Sequence, residues 1–72
     1  MNLILFILKL KEACAWTIGN LVSNSEKAFS ILHLQGCLKS LIKLTPQCSD
    51  SLLPALSYAL LRYIHAGVNC IR

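Results

Sequence analysis

Two segments of this chain repeat one order of large and small side chains at a separation of 42 positions. The shift places Leu10 on Leu52 and Val22 on Ile64. Between these ends, large again falls on large and small on small, in the pairs Ala13 and Ala55, Trp16 and Tyr58, and Ile18 and Leu60. Apolar residues recur every three or four positions in each segment, as on one face of an α-helix. The repeat therefore predicts two equivalent helices, each burying an apolar face against a neighbour.

Local signals divide the first half of the chain into two helices. The first is expected from near residue 3 to Val22, with an apolar face formed by Leu10, Cys14, Ile18, Leu21 and Val22. Residues 23–25 interrupt the pattern, and a Ser or Asn there can cap a second, short helix with Glu26 in its first turn. Gly36 is expected to end that helix, since glycine favours the position just past a helix C-terminus.

Two further helices are expected in the second half. The third runs from Cys37 to Leu44, with one apolar side formed by Leu38, Leu41, Ile42 and Leu44, and Thr45-Pro46 ends it because a residue before proline disfavours the helical region. The fourth begins with Asp50 or Ser51 as its cap, holds Pro54 in its first turn and ends at Ala66-Gly67, after His65. No strand pattern competes, so the sequence predicts an all-α fold of about four helices.

Composition makes this chain a poor candidate for an isolated domain. It has 72 residues, of which 56% are apolar and only 14% charged, so little polar surface is available to cover the core. We expect the isolated chain to self-associate, to bind a chaperone or to stay partly molten. The four cysteines have no C-x-x-C spacing and lie among apolar or small residues, which predicts buried free thiols.

The charge distribution and the N-terminus limit the partners. The net charge is +4, but the basic residues are dispersed and no aromatic stacking platform lies between them, which disfavours nucleic acid as a partner. The apolar run from Leu3 to Leu8 ends at Lys9 and is shorter than the roughly 20 residues of a bilayer span. A membrane-associated protein anchored by this run stays open as an alternative. Neither His33 nor His65 has ligand-like spacing to a cysteine, so no metal is expected.

The segment "LKEACAWTIGNLVSN" carries a family resemblance. It resembles the third helix of an armadillo repeat of the importin-α kind, with Leu10, Ala15, Trp16 and Asn20 at the spacing of the family. "NSEKAFSILHLQGCLKSLIKL" is similar to the first two helices of the next repeat. The resemblance divides the chain into an apolar lead-in (1–9), one third helix (10–24), one complete repeat (25–67) and a tail (68–72). It implies an armadillo-like α-solenoid arrangement.

The resemblance also implies a binding site. Residues four apart share a helix face, so Trp16 and Asn20 project together. In importin-α-like proteins, rows of such pairs on the concave face hold nuclear localisation signals. The equivalent pair 42 residues later departs from the pattern, because Tyr58 and Arg62 stand where the family has Trp and Asn. A guanidinium carries only donors and a positive charge, so it repels a basic peptide and favours an acidic one.

These observations predict an interaction module rather than an enzyme. The chain shows no grouped nucleophile, base and acid, no phosphate loop and no paired carboxylates, so neither catalysis nor a cofactor is expected. We expect an extended peptide or partner protein to bind Trp16, Asn20, Tyr58 and Arg62, with a link to nuclear protein import in the cytoplasm and nucleus. The alternative is a structural fragment that docks on neighbouring armadillo repeats or on itself.

Overall fold

The first helix of the chain is long because nothing interrupts it before a cluster of polar residues. The computed structural model describes residues 3–47 and 49–71, and α1 spans Leu3–Asn24. At its end, Ser23 Oγ donates to the Gly19 carbonyl and Asn24 Nδ2 donates to the Asn20 carbonyl. These side chains bond carbonyl groups of the preceding turn that also accept intrahelical bonds, and the Ser25 N–H satisfies the Leu21 carbonyl.

The second helix starts as the sequence predicts. Ser25 has an extended backbone, and its hydroxyl accepts a hydrogen bond from the Ala28 N–H at 3.1 Å. Glu26 lies in the first turn of α2, Glu26–Leu34, where a carboxylate interacts favourably with the helix dipole. Gly36 then takes a left-handed conformation with φ of +79°, which glycine adopts without steric cost. This residue separates α2 from α3, Cys37–Leu44.

Helix α3 ends at Leu44 as predicted, but three details that follow it differ from the sequence predictions. Thr45 keeps helical backbone angles, and a 3₁₀ turn, Thr45–Gln47, follows it because the Thr45 N–H and hydroxyl both bond the Ile42 carbonyl. The side chain that bonds the Leu52 N–H is Ser49, rather than Asp50 or Ser51. The last helix, α4, spans Leu53–Ile71 and passes through Ala66-Gly67 without ending.

The packing of α4 explains why it continues. Ala66 is buried in the core, and a Cβ placed on Gly67 would make ordinary van der Waals contact with the Phe29 ring. Tertiary contact with α2 thus outweighs the low helix propensity of glycine. Residues 68–71 belong to this helix instead of forming a separate tail.

Four α-helices and no strand are present in the two ranges that the structure describes. The most extensive contact joins α1 and α4, and contacts advance in the same direction along both helices. Gly19 lies against Tyr58 and Ala59, while residues 22–26 line a cleft with residues of the later turns of α4, from Arg62 onward. The two helices therefore run parallel, and α2 and α3 also pack on α4.

The buried face of α1 differs from the predicted one. Small residues make it, since Ala15, Gly19 and Val22 are buried, whereas Leu10, Cys14 and Leu21 are exposed and Ile18 is half-buried. On α3, Leu41 is buried but Ile42 is exposed. The prediction took every apolar residue as inward-facing, but the close approach of α4 selects small side chains at the contact. The rest of the core comes from α2, α3, α4 and the turn before α4: Phe29, Leu41, Leu52, Ala55, Leu56, Ala59, Tyr63 and Ala66.

The prediction of buried thiols is wrong for two cysteines. Cys14 and Cys70 are exposed and Cys37 is half-buried, all three as free thiols. Cys48 lies outside the described residues. Cys14 shares the outer side of α1 with Leu10 and Leu21, which the chain leaves uncovered.

Candidate functional site

The four predicted binding residues meet in the structure. The rings of Trp16 and Tyr58 have centroids 5.0 Å apart and are tilted by 46°. The Tyr58 hydroxyl donates a hydrogen bond of 2.6 Å to Asn20 Oδ1. The guanidinium carbon of Arg62 lies 5.3 Å from the centroid of the Tyr58 ring. Two distant segments thus form one surface, which we name the Trp16–Arg62 face after the residues at its two ends.

Helical spacing and one glycine place these side chains. Trp16 and Asn20 lie one turn apart on α1, and Tyr58 and Arg62 lie one turn apart on α4. Gly19 makes room for the Tyr58 ring, because a Cβ at position 19 would lie 2.5 Å from its Cε2 atom. The sequence analysis missed this role of Gly19. Its signal was a glycine inside a helical pattern, next to the predicted site.

The hydrogen-bonding capacity of the face differs from that expected for an isolated asparagine. Asn20 Oδ1 accepts the Tyr58 hydroxyl, so the two Nδ2 hydrogens are the main remaining groups for a ligand. Arg62 adds a planar set of donors above one side of the Tyr58 ring. The Trp16 side chain remains 38% exposed and provides an apolar wall. The face therefore offers donors and a positive charge, which suit carbonyl and carboxylate oxygens.

A cleft of about 250 Å³ continues the face beyond Arg62. It lies between the turn that joins α1 to α2 and the last turns of α4, where His65 and Asn69 line it. On the α1 side, Asn24 and Glu26 contribute polar groups. The sequence analysis did not select His65 and Asn69 as site residues. Extending the three-and-four spacing from Tyr58 and Arg62 along α4 would have found them.

A second aromatic cluster lies at the contact of α2 and α4. The rings of Phe29 and His33 are stacked 5.5 Å apart, and Tyr63 lies 5.0 Å from Phe29. His33 Nδ1 and the Tyr63 hydroxyl share a hydrogen bond of 2.8 Å, whose direction follows the histidine tautomer. Tyr63 is only 2% exposed. This arrangement joins two helices, and although Tyr63 itself is almost completely buried, its ring and those of Phe29 and His33 line an apolar cleft of about 390 Å³.

Burial changes the acid–base properties of this cluster. Burial raises the pKa of the Cys37 thiol. Burial is also the main cause that raises the pKa of the Tyr63 hydroxyl, with the nearby Cys37 charge acting in the same direction and a backbone hydrogen bond with Leu38 acting against it. Both groups therefore stay protonated in the folded chain well into the alkaline range.

Other types of site find no support in the part of the chain that the structure describes. There, no three histidine, cysteine or acidic residues come close enough to share a metal ion. Every buried side-chain nitrogen or oxygen in this part has a hydrogen-bond partner. Among the same residues, no helix is both long and apolar enough to cross a bilayer.

Comparisons with known proteins identify no relative. No protein-family model, no curated protein and no solved structure matches this chain.

Proposed function

We propose that this chain is a protein-interaction module with an armadillo-like arrangement, and that it binds an extended peptide segment on the Trp16–Arg62 face. One observation carries the proposal: Trp16, Asn20, Tyr58 and Arg62 form a continuous surface across two parallel helices. An aromatic wall beside amide and guanidinium donors suits a peptide backbone with acidic side chains.

The helix order supports the armadillo-like part of the proposal. Two helices of similar role, α1 and α4, lie side by side in parallel, and the chain between them forms the two short helices α2 and α3. The sequence resemblance assigns α1 and α4 as third helices of successive repeats. In such arrays each repeat packs only on its neighbours, and one side of the stack forms an extended binding surface.

The charge of the face selects the peptide. Arg62 lies on the face, and Asn20 presents its donor hydrogens because its oxygen is bonded to Tyr58. A carboxylate can form two parallel hydrogen bonds with a guanidinium. We therefore propose an acidic segment as the ligand. The role in nuclear protein import, in the cytoplasm and nucleus, rests on the family resemblance and requires a basic signal instead.

Two labelled peptides of equal length, one rich in Glu and one rich in Lys, test this proposal. We expect the acidic peptide to bind more tightly in a fluorescence-anisotropy titration. Arg62→Gln should weaken that binding about 10-fold or more, as loss of a charged hydrogen bond implies. Lys39→Gln removes the same charge from the exposed side of α3 and should leave binding unchanged.

Truncation of the aromatic wall and the amide gives the complementary test. Trp16→Ala and Asn20→Ala should each weaken peptide binding while circular dichroism shows unchanged helical content. Equal binding by the wild type and both variants would contradict the proposal and favour the purely structural alternative. A preference for the basic peptide would still support binding at the Trp16–Arg62 face. It would mean that the ligand is basic rather than acidic, as the import role requires.

A further inference from the structure

Two apolar surfaces of the α1–α4 pair have no partner within the described residues. On α1, Leu10 is 54% exposed and Leu21 is also exposed. On α4, Leu61 is 66% exposed, and Ile64 lies one turn before the exposed Val68. We name these the outer face of α1 and the outer face of α4. Each lies on the side of its helix that is turned away from the other helix.

The 42-residue repeat relates the outer face of α1 to the buried face of α4. Leu10 and Leu21 are exposed, whereas their equivalents, Leu52 in the turn just before α4 and Tyr63 on α4, are buried. The residues between them follow the same rule, because Ala13, Cys14 and Thr17 are exposed whereas Ala55, Leu56 and Ala59 are buried. The outer face of α1 is thus equivalent to the surface through which α4 packs on the rest of the chain, which includes α1 at Gly19 and α2 at Phe29.

The 42-residue shift also relates the buried face of α1 to the outer face of α4. Ala15, Gly19 and Val22 form the buried face of α1, and their equivalents on α4 are Ser57, Leu61 and Ile64, all exposed. The outer face of α4 is therefore equivalent to the surface through which α1 packs on α4. Each end of the α1–α4 pair presents one half of the contact that holds the pair together.

We propose that these two outer faces bind each other in separate copies of the chain, so that the outer face of α4 in one copy packs on the outer face of α1 in the next. The contact continues the parallel α1–α4 packing already present within one chain. It joins two different surfaces, so a dimer keeps one free face at each end and further copies add as concentration rises.

Side-chain size and charge fit this arrangement. Within the chain, small residues of α1 meet larger ones of α4, as Gly19 meets Tyr58. Between copies, the outer face of α4 again supplies the larger residues, Leu61 and Ile64, and the outer face of α1 supplies smaller ones, Cys14 and Thr17. Such alternation lets facing layers interdigitate. None of these residues is charged, so the contact requires no ion to be desolvated.

Two single variants and their mixture test the proposal in sedimentation-velocity experiments. Leu10→Glu blocks the outer face of α1, and Leu61→Glu blocks the outer face of α4. We expect the wild type to form dimers and larger species with rising concentration, and each variant alone to be monomeric. An equimolar mixture should form a dimer and nothing larger, because one intact face remains on each variant. Each variant should weaken self-association about 100-fold.

Leu34→Glu is the matched control, because Leu34 is 85% exposed at the end of α2 and belongs to neither outer face. It should associate like the wild type, and circular dichroism should show equal helical content for all variants. A wild type that stays monomeric would overturn the proposal and leave the faces to a different protein. A single variant that still dimerises would overturn it too, since like faces would then pair. The proposal does not depend on peptide binding, which all three variants leave intact at the Trp16–Arg62 face.

Discussion

Helix α4 places a tyrosine in each of two aromatic clusters, and the two differ in what surrounds the ring. Tyr58 stands at the edge of the α1–α4 contact, with Trp16 and Arg62 beside it and its hydroxyl on Asn20. Tyr63 lies one turn further on, between Phe29 and His33, and is almost completely buried. Both hydroxyl groups are hydrogen-bonded, so exposure is what separates the clusters.

This difference in exposure suggests different roles for the two tyrosine rings. A ring that is buried on all sides contributes to the core, and its removal leaves a cavity. A half-buried ring that faces exposed donors contributes less to stability and keeps a surface for a ligand. We therefore expect Tyr63 to contribute mainly to stability, and the proposed peptide binding to depend on Tyr58. The following predictions test that division.

The largest expected effect is the truncation of Tyr63. Tyr63→Ala should lower the free energy of unfolding by about 3–5 kcal/mol, because it empties a site in the core. A chain of this size has roughly 4–11 kcal/mol of stability in total, so this variant should be largely unfolded or close to it. Tyr58→Ala should cost only about 1–2 kcal/mol. Urea denaturation followed by circular dichroism compares them, and equal losses would contradict the division.

Alanine substitutions at two glycines should give the next largest effects on stability, and the two effects should have opposite signs. A Cβ at Gly19 would lie 2.5 Å from the Tyr58 ring, so Gly19→Ala should displace that ring and cost about 1–3 kcal/mol. Gly67→Ala is the control, since its Cβ would lie 3.7 Å from the Phe29 ring, an ordinary contact. It should stabilise the chain by up to about 1 kcal/mol through helix propensity. Stabilisation by both variants in urea denaturation would show that α1 and α4 do not approach closely at Gly19.

Two ionisable groups on the Tyr63 side make the stability of the fold depend on pH. Burial raises the pKa of Cys37 and Tyr63 in the folded chain, so the folded state holds these protons more tightly than the unfolded state does. Their contribution to stability is complete below their ordinary values of 9.0 and 10.0 and is lost as pH rises through and above them. Thermal unfolding followed from about pH 8 to about pH 11, a range that spans both ordinary pKa values, should show this loss.

Matched variants separate the two groups. Cys37→Ser should remove the part of the stability loss that occurs at lower pH. Tyr63→Phe should remove the part that occurs at higher pH. Cys14→Ser, at an exposed thiol, should leave the profile unchanged. A profile that none of these substitutions alters would mean that neither group is buried as described.

Local chemistry explains which parts of the fold the sequence predicts well. The Ser25 cap, the Glu26 first turn and the left-handed Gly36 depend on a few neighbouring residues, and the predicted bounds of α2 and α3 follow from them. Helix α4 continues past Gly67 because Ala66 is buried in the same core cluster as the distant Phe29, so a local glycine signal misplaced its end. The buried side of α1 depends on how closely α4 approaches, which periodicity does not specify.

The candidate site shows the same limit. Helical spacing was enough to predict that Trp16 lies beside Asn20 and Tyr58 beside Arg62, and the 42-residue repeat brought the two pairs together. The hydrogen bond between Tyr58 and Asn20 could not be predicted, because it depends on the space that Gly19 leaves. That bond changes which atoms of Asn20 can meet a ligand.

The contact between the two distant rings is the most direct test of this account. The chain has a single tryptophan, so its indole resonances can be assigned without ambiguity. With ring centroids 5.0 Å apart, Trp16 and Tyr58 should give nuclear Overhauser cross-peaks that disappear in a Tyr58→Leu variant. A chain with fully formed helices and no such cross-peaks would show that α1 and α4 are not stacked in this register.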